Sequence, residues 1–238
     1  MTKGELQEAT FEANVAIQEH GLVILTWGNA SACDRDLGVM AIKPSGVHYE
    51  RLSAEDMVLV ELETGEVVSQ NRLRPSSDTP THLVLYRAFP KIGGVVHTHS
   101  RFATAWAQSG NDLPCFGTTH ADFFCGSVPC TTALGEEEIR GSASYERSTG
   151  LVIVREFERR GLDPLRIPAA LVNGHGPFVW GVDGRAAVES AVALEAVAEM
   201  GVYTRLLDPS RGPIPKLLLD KHFSRKHGTG AYYGQKHT

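Results

Sequence analysis

The four cysteines of this 238-residue chain, Cys33, Cys115, Cys125 and Cys130, are few and unclustered. They form neither a C-x-x-C pair nor the dense framework of a small secreted domain, so reduced thiols in a cytoplasmic protein are expected. No pair has the spacing of a structural zinc–thiolate site. The opening segment "MTKGELQEAT" lacks the apolar core of a signal peptide. No stretch approaches the roughly 18 apolar residues that span a bilayer, so no membrane is expected as a partner. Excess positive charge is also missing. A net charge of −5 gives no general attraction for nucleic acid or anionic lipid, and an anionic ligand has to be held by a local site. The chain shows no repeat, no low-complexity tract and no linker. It carries no glycine-rich dinucleotide fingerprint, so no redox cofactor is expected.

What is present reads as one ordinary globular domain over residues 1–238, with 42% hydrophobic and 21% charged residues. "GELQEATFEANVAIQEHG" predicts an opening helix, because Leu6, Ala9, Ala13 and Ile17 recur at helical spacing and Gly21 can close it. "LVILTW" predicts a strand, and "MVLVELETGEVV" a hairpin turning at Thr64-Gly65. After "RPSSD", Thr79 can cap a short helix with Pro80 at its first position, carrying Leu83, Tyr86 and Phe89. "GGVVHTH" predicts a strand and "SRFATAWAQSG" a helix capped by Ser100. "LVIVREFERRG" is ambiguous between helix and strand. "AALVNGHGPFVWG" predicts strand, tight turn, strand, and "GRAAVESAVALEAVAEMGVY" a long helix. Strands alternate with helices, yet two connections are short enough to demand antiparallel pairs. The expected fold is therefore α/β, a single domain with a mixed or antiparallel sheet flanked by helices.

"GGVVHTHSRF" sets His97 and His99 two apart at the end of an apolar run. Residues i and i+2 of a strand face the same side, about 7 Å apart along the backbone, which suits two ligands of one metal. A third candidate is His175, held between glycines in "NGHGPF". Three neutral histidines with one open position is the donor set of catalytic zinc. Asp78, at a helix start in "SSDTP", is the carboxylate placed to join or adjoin them. The other histidines lack such a context, and most of them read as surface or packing residues. Three loops, "TWGNAS", "IKPSG" and "RPSSDT", each follow an extended segment and offer backbone N–H groups with small or hydroxyl side chains. One contains Lys43, and another places Ser76 and Ser77 just before a helix N-terminus, where the dipole favours an anion. Beside a metal, these loops suggest a small phosphorylated substrate.

Taken in order, "TWGNAS…IKPSG…RPSSDTPTH…GGVVHTHSRFATAWAQ…GTTHADFFCGSVPCT…NGHGPFVWG…LLLDKHFSRKHG…AYYGQ" resembles the sugar-phosphate epimerases of the class II aldolase (adducin head) superfamily over nearly the whole chain. The resemblance implies a central, largely antiparallel sheet flanked by helices, a homotetramer of cyclic four-fold symmetry, and one divalent cation per subunit. That cation is zinc in the usual case, with manganese or cobalt as alternatives. It implies His97, His99 and His175 as metal ligands with Asp78 as a fourth, weaker one. The aldolase branch carries Glu at the place of Asp78. Gly28 with Asn29, Ser45 with Gly46, and Ser76 with Ser77 match the family's substrate loops, with Lys43 nearby. Asp122 in "THADFF" and Tyr233 in "AYYGQ" match its acid/base pair. The chain departs from the pattern in a longer "GEEEIRGSASYERSTG" segment and at Asn173, neither of which touches a motif position.

The activity so implied is inversion at C4 of a ketopentose phosphate, interconverting L-ribulose 5-phosphate and D-xylulose 5-phosphate in pentose catabolism. The C4 hydrogen is not acidic, so direct deprotonation is hard. Breaking C3–C4 is easier, because the C2 carbonyl accepts the electron pair. The other readings of these residues are a sugar-phosphate aldolase that releases its aldehyde, a cupin-type iron oxygenase, which also uses His-x-His, and a non-catalytic metal-binding protein. The Ala/Val-rich helices speak against a cupin barrel.

Overall fold

The first helix is set by its own ends. In α1 (Lys3–Glu19) the Thr2 side chain accepts the Glu5 N–H, and the Glu5 carboxylate accepts the Thr2 N–H, so two otherwise orphaned donors are satisfied. Leu6, Ala13 and Ile17 bury the face that their spacing predicts. The computed structural model describes residues 1–141, 144–227 and 231–232.

The expected strand over 22–27 does not form. The chain makes a tight turn there, with Ile24 bridged to Trp27 and Leu25 at φ +56°. Leu22 is buried, but Ile24, Leu25 and Trp27 are exposed. The first strand instead begins at Asn29, in the small-residue run of β1 (Asn29–Asp34). Small side chains are required because α1 lies close above. Asn14 exchanges two hydrogen bonds with the Ala30 backbone, each 2.9 Å long. Hydrophobicity pointed to the wrong six residues because a strand held this close to a helix has little room for apolar bulk.

Five more strands complete one sheet: β2 (Val39–Ile42), β3 (Val58–Glu61), β4 (Gly94–His97), β5 (Ala169–Leu171) and β6 (Pro177–Gly181). Their order is β3-β2-β1-β4-β6-β5, and every neighbouring pair is antiparallel. The hairpin expected at Thr64-Gly65 is present, with Gly65 at φ +81° and Val60 bridged to Val67. The strand–turn–strand reading of "AALVNGHGPFVWG" also holds, as β5 and β6.

The helices lie on both faces. Residues 79–88 form α2 (Thr79–Ala88), in which Thr79 is already the first helical residue and Asp78 takes the cap position. Next come α3 (Arg101–Ser109), the short α4 (Thr118–Ala121) and α5 (Glu136–Arg140), and α6 (Tyr145–Arg160), which settles the ambiguous "LVIVREFERRG" as helix. Last are α7 (Gly184–Leu207) and α8 (Lys216–His227). One core packs Leu6, Ile17, Trp106, Leu194 and Val197 of α1, α3 and α7 against Val39, Ala41, Val96 and Val179. The other packs Leu85, Tyr86, Ile153 and Phe157 of α2 and α6 against Met40, Ile42, Val95, Phe178 and Trp180. Successive strand residues thus alternate between two cores. Both faces are covered, so the strands read as continuous apolar runs although they are antiparallel.

Two histidines outside the candidate metal cluster are enclosed in this framework. Burial lowers His82 to about 3 and His120 to about 4, even though the His120 Nε2–H donates to the Gly126 carbonyl at 2.7 Å. An unfolded histidine titrates near ~6.5. Between that value and the folded one, the unfolded chain binds protons that the folded chain refuses, so stability is full above pH ~6.5 and falls as the solution is acidified. The urea midpoint is expected to be lower at pH 5 than at pH 7.5. His120→Gln, which cannot charge, should show a smaller drop between the two pH values.

Candidate metal centre and substrate cavity

Strand β4 ends at His97, not at His99 as the sequence suggests, and His99 lies in the junction leading to α3. The two side chains still converge. His97 is buried, stacks on Phe178 with ring centroids 4.1 Å apart, and places Nδ1 2.9 Å from the Pro177 carbonyl oxygen. A carbonyl can only accept, so Nδ1 carries the proton and the Nε2 lone pair is free. The His99 Nε2 lies 3.2 Å from it. His175 enters from the β5–β6 turn, its ring 4.8 Å from that of His97 and 5.0 Å from that of His99. One ligand atom from each of the three lies within 4.8 Å of the others.

Close backbone approach makes this possible. Gly28 sits at φ +89°, and a Cβ there would lie 2.8 Å from the His97 carbonyl oxygen. A Cβ at Gly176 would lie 2.9 Å from the Thr98 carbonyl oxygen. The His97–Thr98 segment is therefore clamped between two glycines.

Burial works against charging His99 and His175. Burial, reinforced by the neighbouring His97 and His99, lowers His175 to about 4. Burial also lowers His99, and His97 adds to the effect. Neutral rings offer lone pairs, so the donor set fits a divalent cation with the cavity as its open side.

Asp78 lines the same cavity but stands outside the group of mutually close ligand atoms, which holds the histidines alone. Its Oδ2 accepts from the Asn29 Nδ2 at 2.7 Å. Burial works to raise the Asp78 carboxyl. The nearby His97 and His82 rings and the Asn29 amide outweigh it and hold the group below its ordinary value.

The three loops expected to bind an anion meet here. Pro44 bridges Pro75, the Ser45 N–H donates to the Arg74 carbonyl and the Ser76 N–H to the Lys43 carbonyl. That short antiparallel zipper sets Ser45 and Gly46 beside Ser76 and Ser77, just ahead of α2. Lys43 is buried, donates to the Val47 carbonyl at 2.6 Å and lies 4.7 Å from the Tyr49 ring centroid. Burial lowers it to about 8. Among the described residues no carboxylate forms a salt bridge with it.

Gly28, Asn29, Lys43, Ser45, Gly46, Ser76, Ser77, Asp78, His97, His99 and His175 all line one cavity of about 560 Å³. Asp122 does not. It closes α4 and is gripped by α8, with Arg225 donating at 2.6 and 3.1 Å and His222 at 3.1 Å. Burial raises the Asp122 carboxyl, but these bonds outweigh it and leave the group below its usual value. His222 and His227, read from sequence as surface or packing residues, both hold Asp122, His227 through its backbone carbonyl. Tyr233 lies outside the described residues. Thr26, Trp27 and Pro44, from the loops already singled out, line the cavity too, and two more residues, Tyr145 and Glu146, escaped the sequence reading altogether. Tyr145 opens α6, and its hydroxyl lies 3.2 Å from the His175 Nδ1. They stand in a segment with no motif-like spacing, so only the turn into α6 reveals them.

The Pro177 contact fixes the tautomer of the first ligand. In metal-free protein held above the histidine titration range, ¹H–¹⁵N correlation spectra should show His97 protonated at Nδ1. An Nε2-protonated ring would contradict the geometry.

The sequence and the fold have counterparts. The chain is 52% identical over 232 residues to an L-ribulose-5-phosphate 4-epimerase, UlaF, of Salmonella paratyphi B, covering 98% of this chain and 99% of that protein. The same figures hold for the UlaF protein of Salmonella typhi. Among solved structures, an L-fuculose 1-phosphate aldolase superposes with a TM-score of 0.78 at 20% identity, covering 94% of this chain and 97% of that one. YgbL of Klebsiella pneumoniae, a putative aldolase/epimerase/decarboxylase, gives 0.70 at 23%, covering 93% and 99%. At those identities the two structures speak for the fold alone. The model of the class II aldolase and adducin N-terminal domain matches residues 8–202, and the chain belongs to that family.

Proposed function

We propose that this chain, as one unit over residues 1–238, is an isomerase that inverts C4 of L-ribulose 5-phosphate to give D-xylulose 5-phosphate. The observation that carries the reading is the shared cavity, in which three histidines face the zippered loops at 43–46 and 74–77. The 52% identity to named epimerases along almost the full length supports the same conclusion. The test is conversion of L-ribulose 5-phosphate to D-xylulose 5-phosphate by the purified chain. Release of glycolaldehyde phosphate without epimerisation would favour the aldolase reading instead.

The family is typically metal-dependent, and His97, His99 and His175 would hold the ion. We assign it as zinc, with manganese or cobalt as alternatives, and Asp78 as a weaker fourth ligand. A divalent cation supplies Lewis-acid polarisation of the substrate's C2 carbonyl. Everything else is done by the chain. The N–H groups of Gly46 and Ser77 and the hydroxyls of Ser45, Ser76 and Ser77 are the donors offered to the phosphate at the start of α2, the Ser45 and Ser76 N–H groups being spent on the zipper. Lys43 adds charge, because a phosphate beside it offsets the desolvation that depresses its basicity. Asn29 orients Asp78 through the 2.7 Å bond.

The C4 hydroxyl loses its proton to one acid/base group as C3–C4 breaks, and the bonding pair moves onto the C2 oxygen. The phosphate grip retains the aldehyde while it turns over. The pair then returns from C3 to the other face, and a second group delivers the proton to the new C4 oxygen. We assign these two roles to Asp122 and Tyr233. Asp122 does not line the cavity of its own chain, so it acts only if a second copy brings it there. That requirement agrees with the homotetramer implied by the family resemblance. No helix among the described residues is long and apolar enough to cross a membrane.

His97→Asn and His99→Asn are each expected to lose bound metal and epimerase activity together, because two imidazoles hold a divalent ion poorly. Metal analysis of the folded variants checks this, and full occupancy in both would remove the site. Asp78→Glu, with its longer reach, should keep the metal and raise glycolaldehyde phosphate release relative to epimerisation. Tyr233→Phe should retain metal and lose about 10²-fold or more in kcat. Unchanged kinetics would take Tyr233 out of the reaction.

A further inference from the structure

Helix α3 follows directly from the His97–His99 segment, and its N-terminus is not held by its own cap residue. Ser100 occupies the cap position but makes no side-chain capping bond. A carboxylate from another helix does the work. Glu195, midway along α7, accepts the Phe102 N–H with Oε1 and the Ala103 N–H with Oε2, both at 2.9 Å. One turn further on, the Trp106 indole N–H donates to the Ala198 carbonyl at 3.0 Å. The two helices are thus pinned at two points a turn apart, at 102/103 with 195 and at 106 with 198.

A negative group at a helix N-terminus interacts favourably with the exposed N–H groups and the helix dipole. A distant residue can make that contact only if the helix is held at one rotation and one height. That rotation bears on His99, which lies three residues before Phe102 in a junction with little freedom. His97 is locked by its Pro177 bond and Phe178 stack, and the backbone at 97–98 is clamped between Gly28 and Gly176. On the other side of His99 the Ser100 N–H donates to the Thr98 hydroxyl at 3.4 Å, and the start of α3 carries the chain onward from there. A ligand imidazole has to be held within about 0.5 Å of its working place.

We infer that Glu195 is a positioning residue for the metal centre, fixing the β4–α3 junction so that His99 meets His97 and His175. The assignment rests on the metal reading given above, and it adds a residue that lies outside the cavity and touches neither substrate nor metal.

The test measures Co²⁺ affinity of the metal-free full-length chain by absorption spectroscopy with a competing chelator, beside the thermal midpoint of the same metal-free protein. Glu195→Ala should bind Co²⁺ about tenfold or more weakly, as for loss of a group that supports a metal ligand. Glu195→Gln keeps one acceptor and should fall between Ala and the unaltered chain. Thr2→Ala removes the cap of α1, far from the histidines, and should lower the thermal midpoint while leaving Co²⁺ affinity unchanged. Unaltered affinity in Glu195→Ala, or in Glu195→Gln should the alanine chain not fold, overturns the assignment. So does an equal loss in Thr2→Ala, which would mark the effect as general destabilisation. Failure of the unaltered chain to bind Co²⁺ overturns the metal reading and this assignment with it, whereas unaltered affinity in the Glu195 variants overturns this assignment alone.

Discussion

Antiparallel pairing sets Asn29 of β1 opposite His97 of β4, and His97 opposite Phe178 of β6. The rest of the site hangs on that row. It puts the Asn29 amide where it can hold Asp78, gives His97 a ring to stack on, and brings the Pro177 carbonyl to its Nδ1. A shift of one residue in either pairing would send His97 into a helical layer, because side chains alternate across a sheet. Both faces of this sheet are covered by apolar helices, so the alternative registers bury polar groups without partners. The register is fixed by the two cores before any ligand is considered.

The electrostatics follow a similar logic of local against global. The whole chain is acidic, with a net charge of −5, and so does not draw phosphates by its overall field. The groups proposed to hold the phosphate are confined to one cavity: a buried lysine lowered to about 8 by desolvation, the free donors of two zippered loops, and the start of α2. Next to it His99 and His175 are lowered by the same burial that makes a charged lysine costly. One pocket therefore supplies lone pairs on one side and donors on the other, which a bound cation and a bound phosphate would each satisfy.

The contrast between Asp78 and Asp122 shows how position governs the role a carboxylate can take. Both lie below their usual range because hydrogen bonds and neighbouring groups outweigh burial. Asp78 faces the histidines. Asp122 is tied to α8 by Arg225 and His222, away from the cavity of its own chain. The proposed reaction needs groups on both sides of the substrate's C4, and Asp122, the described member of the pair the family motif assigns, does not line the cavity of its own chain.

Several features were legible in the chain itself, because they depend on local spacing. The two-residue step from His97 to His99, the glycines around His175, and the hydroxyl-rich loops at 45–46 and 76–77 all mark chemistry that the fold then gathers. Periodicity likewise gave α1, α3 and α7 and the two hairpins. Tertiary packing decided the remainder. It made 22–27 a turn and the small-residue run at 29–34 a strand, since α1 lies too close for larger side chains. It turned residues 145–160 into a helix over Leu85 and Tyr86, placed Tyr145 against His175, and brought Glu195 from nearly a hundred residues away to cap α3. Sequence carries what a residue can do with its near neighbours. Contacts between distant segments are set by which faces must be buried together, and no local pattern encodes them.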